Sequence, residues 1–180
     1  MKQELSLIKM QIKAERILSA NRHNGIKKKA LFLDFDGVIN IYYAPDSEKY
    51  KEIEKQSEGN YNFADKECVK RISDLCLQYD LDVVISSSWR YSGLEYCRKY
   101  LQNAGMSKAV CIIGTTETDM MRNRAEEIYQ YLIAHPQYAG MVVFDDCTMP
   151  QLSKVQVITN MIDGVDDKAI ACAEEILRKF

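Results

Sequence analysis

Two aspartates stand two residues apart in Leu33-Asp34-Phe35-Asp36-Gly37-Val38, directly after an apolar run, and two more adjoin in Val143-Phe144-Asp145-Asp146. A third apolar run leads into Ser86-Ser87-Ser88-Trp89-Arg90, and Arg122 and Arg124 open a helix-length stretch ahead of Asp145. Taken alone, D-x-D-G reads equally as a turn device, because Asp and Gly are common turn residues. Four carboxylates at one place are another matter, since they raise one another's pKa and oppose folding unless a cation neutralises them. Oxygen ligands without His or Cys select Mg²⁺ over zinc. A carboxylate nucleophile beside such a metal, with hydroxyls and a guanidinium at hand, suits phosphoryl transfer.

Convergence depends on the elements that carry these residues. Ala30–Leu33, Val83–Ile85, Val110–Ile113 and Met141–Phe144 are short runs with little polar alternation, the pattern of strands buried on both faces, and Val155–Thr159 is a weaker fifth. Helix-length amphipathic stretches lie between them at about Asp65–Gln78, Leu94–Asn103, Asn123–Ala134 and Lys168–Lys179. That alternation predicts an α/β fold, a five-stranded parallel sheet between two helix layers. Right-handed crossovers put every strand C-terminus on one edge, and the acids, hydroxyls and arginines meet there. Ahead of the first strand, Leu5, Ile8, Ile12 and Leu18 predict an amphipathic helix that ends near Asn24-Gly25. The chain therefore divides into an N-terminal helix and basic linker, 1–29, and a domain over 30–180.

Composition sets the outer limits. The 180 residues are 47% apolar and 28% charged, with a net charge of −2, which fits a soluble globular chain and excludes a disordered or fibrous one. No apolar run reaches the length of a membrane span, and the N-terminus lacks a signal-peptide core, so the expected location is the cytoplasm. Residues 1–29 hold eight Lys or Arg against two acidic residues, a basic lead able to meet nucleic acid or an acidic protein partner; a solvated helix face is the plainer explanation. The six cysteines are spread singly with no C-x-x-C pair, so they read as incidental thiols.

The ordered set D-F-D-G-V, S-S-S-W-R, a basic residue and F-D-D resembles the haloacid dehalogenase (HAD) superfamily of phosphohydrolases over about Ala30 to Thr159. Its S-S-S-W-R form is similar to small bacterial and phage members and to the HAD domain of bacterial RNA-repair (Swiss Army Knife) proteins. The resemblance implies a three-layer Rossmann-like fold with minimal or no cap, and an Mg²⁺-dependent phosphatase working through an aspartyl-phosphate. Asp34 is then the nucleophile and Asp36 the general acid and base. Ser86 or Ser87 binds the phosphoryl oxygens, and Arg124 or Arg122 supplies the third-motif cation. Asp34, Asp145 and the backbone carbonyl of Asp36 hold Mg²⁺, with Asp146 acting through water or orienting the others. Val38 stands where many members have Thr, a harmless change at a backbone position.

The remaining signals admit more than one use. Arg90 either grips a second phosphate or a nucleic-acid backbone, or it pairs with Asp36 or Glu95 as scaffolding. The insert at about 41–62 is long for a connection and carries Tyr42, Tyr43, Tyr50 and Tyr61, which pack as a compact lid or stack on bases. Thr115, Thr116, Thr159 and Gly164 are rim positions that shape a substrate pocket. Without a large cap the open rim admits bulky substrates, so RNA or DNA terminal phosphates are the first expectation. A nucleotide or other small phosphate ester is the second, and a catalytically silent module that binds a protein through its N-terminal helix is the third.

Overall fold

The computed structural model describes residues 2–44, 46–48, 50–52, 64–117 and 123–180. A long helix, α1 (Lys2–His23), precedes the first strand, β1 (Lys29–Leu33). The chain then alternates through α2 (Lys66–Tyr79), β2 (Leu81–Ile85), α3 (Leu94–Asn103), β3 (Cys111–Thr115), α4 (Arg124–Ala134), β4 (Gly140–Asp145), β5 (Gln156–Ile158) and α5 (Asp167–Leu177). The five strands form one parallel sheet in the order β3-β2-β1-β4-β5. Right-handed connections place α2, α3 and α5 over one face and α1 and α4 over the other.

Side-chain alternation builds both apolar layers. Leu31, Leu33, Val83, Ile85, Val142 and Phe144 join the layer that includes Ile72, Leu101 and Ile176 of the first three helices. Ala30, Phe32, Val84, Met141 and Val143 join the opposite layer with Ile128, Tyr129 and Leu132 of α4. β1, β2 and β4 are buried at nearly every position, which explains their unbroken apolar reading. β3 departs from that reading, because as an edge strand it leaves Cys111 and Ile113 exposed. β2 begins two residues before its apolar run, since Asp82 is carried into the sheet by Tyr138 Oη, which donates to it at 3.1 Å, and by Lys28 at 2.9 Å. Two short 3₁₀ turns, Ser88–Ser92 and Pro150–Leu152, were not signalled by periodicity.

The inward face of α1 differs from the expected one. Leu5, Ile8 and Ile12 are 55, 48 and 45% exposed, whereas Leu7, Ala14 and Leu18 are buried. The buried three recur at seven and then four residues, two turns and one turn of helix. Ala14, fully buried, lets α1 approach α4 closely, an advantage that ranking by hydrophobicity alone misses. The basic lead is partly structural as well. Arg22 Nη1 donates to the Ala139 carbonyl at 2.7 Å, and Asn21 Nδ2 donates to the Pro136 and Tyr138 carbonyls. Of the 41–62 insert, Tyr42 is exposed and Tyr43 donates to Asp65, while the base-stacking and lid expectations for Tyr61 and its neighbours lie outside the described residues. Among the described residues no helix is long and apolar enough to cross a membrane.

Candidate active site

The strand ends do bring the chemistry to one rim. Asp34 follows β1 and its amide donates to Phe144 O at 3.0 Å; Ser86 follows β2 and its amide donates to Leu33 O at 2.9 Å. Asp145 is the last residue of β4, and register sets it on the same side of the sheet as Asp34 and Ser86. Arg124 opens α4 directly above, where Asn123 caps the helix in a reciprocal pair with Glu126.

The buried carboxylates Asp34 and Asp145 are held alike. Asp34 Oδ1 accepts from the Phe35 amide, and Asp145 Oδ1 accepts from the Cys147 amide, both at 2.8 Å. Each remaining oxygen turns to the same nitrogen: Arg124 Nη1 donates to Asp34 Oδ2 at 2.6 Å and to Asp145 Oδ2 at 2.5 Å. Burial alone would weaken the Arg124 charge, but Asp34 and Asp145 outweigh it and hold the guanidinium above its ordinary pKa. Asp145 keeps a carboxyl pKa above the ordinary range, because burial and the Asp34 charge together exceed the pull of Arg124.

Asp36 sits in a different setting. Trp89 Nε1 donates to both its oxygens, at 2.9 and 3.1 Å, and Asn40 Nδ2 donates to Oδ1 at 2.9 Å. Tyr100 Oη in turn donates to Asn40 Oδ1 at 2.6 Å, and the Tyr100 ring packs on both Phe35 and Trp89. Sequence reasoning noted Trp89 without giving it this role and missed Asn40 and Tyr100 altogether. Asn40 lies four residues past Asp36 and carried no motif of its own.

Gly37 joins the first and fourth loops. Its φ of +71° favours glycine, and a Cβ there would stand 2.7 Å from Asp146 Cβ. Asp146 is thereby drawn in, and carboxylate oxygens of Asp145 and Asp146 lie with Cys147 Sγ inside a 4.8 Å span.

The two serine alternatives now differ. Ser86 Oγ is buried without a hydrogen-bond partner, whereas Ser87 Oγ accepts from the Trp89 amide and caps the 3₁₀ turn. Arg90 was expected to hold phosphate or to pair with Asp36 or Glu95. Its side chain is instead 6% exposed and donates to Glu127 at 2.9 and 3.0 Å and to the Ser86 and Ser87 carbonyls. It clamps the hydroxyl loop to α4. Arg122 lies outside the described residues.

The order of strands and the placement of these acids, hydroxyls and a cation at one sheet edge define an α/β protein with a polar site at the C-terminal rim of a parallel sheet. The family described as "HAD domain in Swiss Army Knife RNA repair proteins" matches residues 30–170, and the chain belongs to it. No curated protein and no solved structure matches the chain. Membership carries phosphatase-type chemistry on phosphorylated substrates, in a superfamily that generally uses Mg²⁺.

Proposed function

We propose that the chain is an Mg²⁺-dependent phosphomonoesterase that acts through an aspartyl-phosphate on Asp34, with nucleic-acid terminal phosphates as its substrates. The observation that carries this reading is the convergence of Asp34 Oδ2 and Asp145 Oδ2 on one cationic nitrogen beside the unpartnered Ser86 hydroxyl.

The same convergence tests the fit of the metal. Two carboxylate oxygens, each with its companion oxygen fixed by a backbone amide, form a hard-oxygen seat for a cation, and Asp146 stands close by. Asp34, Asp145 and the Asp36 carbonyl would hold Mg²⁺, with Asp146 behind them. When bound, the ion neutralises charge on the phosphoryl oxygens.

Asp34 attacks phosphorus through a carboxylate oxygen while the ester bond breaks. Asp36 delivers a proton to the departing oxygen. Asp36 then takes a proton from water as that water attacks the aspartyl-phosphate, which frees inorganic phosphate and restores Asp34. Ser86 Oγ donates to a phosphoryl oxygen and Arg124 supplies positive charge. Trp89 and Asn40 hold the Asp36 carboxylate in place through both steps.

Nucleic-acid ends are favoured by the family's description and by Lys9, Lys13 and Arg16, which α1 leaves exposed. In this reading residues 1–29 add a basic surface to the catalytic domain over 30–180. A nucleotide or other small ester is the second reading, favoured by the depth of the site, where Asp34 is 4% and Ser86 1% exposed. Phosphate release from an aryl phosphate, nucleoside monophosphates and oligonucleotides phosphorylated at either end, with Mg²⁺ or chelator, separates the two. Preference for one oligonucleotide end supports the proposal, and preference for a nucleotide moves the substrate to the second reading. Absence of Mg²⁺-dependent release from every substrate contradicts the enzyme.

A further inference from the structure

Ser86 is not the only hydroxyl at the rim that is buried without a partner. Thr116 Oγ1 shares that condition, and Thr116 is 1% exposed. An orphaned hydroxyl opposes folding, because it gives up its bonds to water and gains none.

Register shows where Thr116 faces. β3 pairs with β2 as Val83↔Ile112, then Val84↔Gly114 and Ile85↔Thr115, so Ile113 is an extra residue in β3. Bulges of this kind re-aim the side chains that follow. Without it Thr115 would stand beside Ser86; with it Thr116 does. The ladder continues past the strand, since the Thr116 amide donates to Ile85 O at 2.9 Å just as the Ser86 amide donates to Leu33 O. Gly114, two residues back and hence on the same face, lies under Tyr131 of α4: a Cβ there would be 3.1 Å from Tyr131 Oη. Thr116 therefore belongs to the α4 side of the sheet, in one row with Ser86, Asp34 and Asp145, each one strand spacing of about 4.8 Å from the next.

We propose that Thr116 is a second hydroxyl of the phosphoryl-binding row, donating with Ser86 to the oxygens of the bound phosphate group. The proposal rests on the phosphatase reading above and adds to it a residue outside the four motifs. Thr159 and Gly164, expected from the sequence to shape the substrate pocket, instead line a separate cavity with Ala169 and Cys172. The Asp145↔Ile158 pairing turns Thr159 to the other face of the sheet, so its unpartnered hydroxyl makes an internal control.

The test is inorganic phosphate, measured with Mg²⁺ present both as a competitive inhibitor and by the rise in melting temperature it produces. Thr116→Val keeps the shape and removes the hydroxyl. It is expected to weaken phosphate binding by roughly tenfold or more, the loss of one hydrogen bond to a charged group, without lowering the unliganded melting temperature. Thr116→Ser is expected to restore binding to within about threefold of the parent, and Thr159→Val to leave it unchanged, the ordinary spread for a site not in contact. If Ser86→Ala weakens phosphate binding while Thr116→Val leaves it within about twofold of the parent, Thr116 holds at most a water and the proposal is overturned. If Thr116→Val does not fold, Thr116→Ser decides, and a loss there that matches Ser86→Ala overturns the role of the hydroxyl. A parent that binds no phosphate overturns the phosphatase reading and this proposal with it.

Discussion

The site has two halves that handle carboxylates in opposite ways. Asp34 and Asp145 share one cation, Arg124, and each is oriented by a single backbone amide. Asp36, only two residues from Asp34, pairs with no guanidinium among the described residues and is held by neutral donors, the Trp89 indole and the Asn40 amide, backed by packed aromatic rings. A carboxylate oxygen aimed at a positive charge lies where a metal ion or an electrophilic phosphorus would meet it. A carboxylate held by neutral donors can gain and lose a proton without stranding a buried charge. The difference teaches that division of labour between neighbouring acids is set by their partners rather than by the acids themselves.

The largest effect that would break this comparison belongs to the charged half. Asp34→Asn is expected to lower phosphate release by more than about a thousandfold, since the nucleophile is gone, while melting temperature stays level or rises with relief of charge crowding. Steady-state rates beside a thermal melt check both parts, and a variant that turns over like the parent reverses the assignment.

The neutral half has a different signature, a dependence on the leaving group. Asp36→Asn is expected to slow an alkyl or ribose phosphate by about a hundredfold or more, within the usual worth of general acid catalysis, and an activated aryl phosphate far less. Trp89→Phe keeps the ring and removes the N–H, so it should reproduce the same bias at about tenfold, as a lost hydrogen bond to a charged group would. Equal slowing on both esters would make Trp89 a packing residue.

Gly37 tests whether the halves share one frame. Gly37→Ala places a Cβ against Asp146 at a left-handed backbone position and is expected to cost about 1–3 kcal/mol. Denaturant melts should register that loss, with a weaker rise in stability on adding Mg²⁺ than the parent shows. The smallest effect lies outside both halves: changing Lys13 and Arg16 to Ala should reduce rates on oligonucleotides about threefold at low salt and spare a small ester. Rates at two salt concentrations on both substrates check this, and equal losses would make the charges structural.

Much of this arrangement was legible in the residues. Apolar runs flanked by helical periods located the sheet, since β1, β2 and β4 are covered on both faces and need no polar alternation. Motifs at strand ends located the rim because parallel topology leaves them nowhere else to go. What escaped depends on contacts between segments far apart in the chain. Trp89 reaches Asp36 across 53 residues, and Arg90 finds Glu127 across 37. The choice of face on α1 turned on the small Ala14, whose value appears only when α4 is placed against it. The bulge at Ile113 shifts phase by one residue, which no local pattern announces.

The central claim is that Asp34 becomes phosphorylated and Asp36 governs release of the group. Its most direct test is intact-mass and peptide mapping of the Asp36→Asn variant after exposure to an activated aryl phosphate with Mg²⁺. That variant should accept the phosphoryl group, because an activated leaving group needs no acid, and then retain it for want of a base. One phosphoryl group on Asp34, absent when Asp34 is also changed to Asn, is the predicted result. No adduct while the parent still releases phosphate, or an adduct on another residue, would contradict the account.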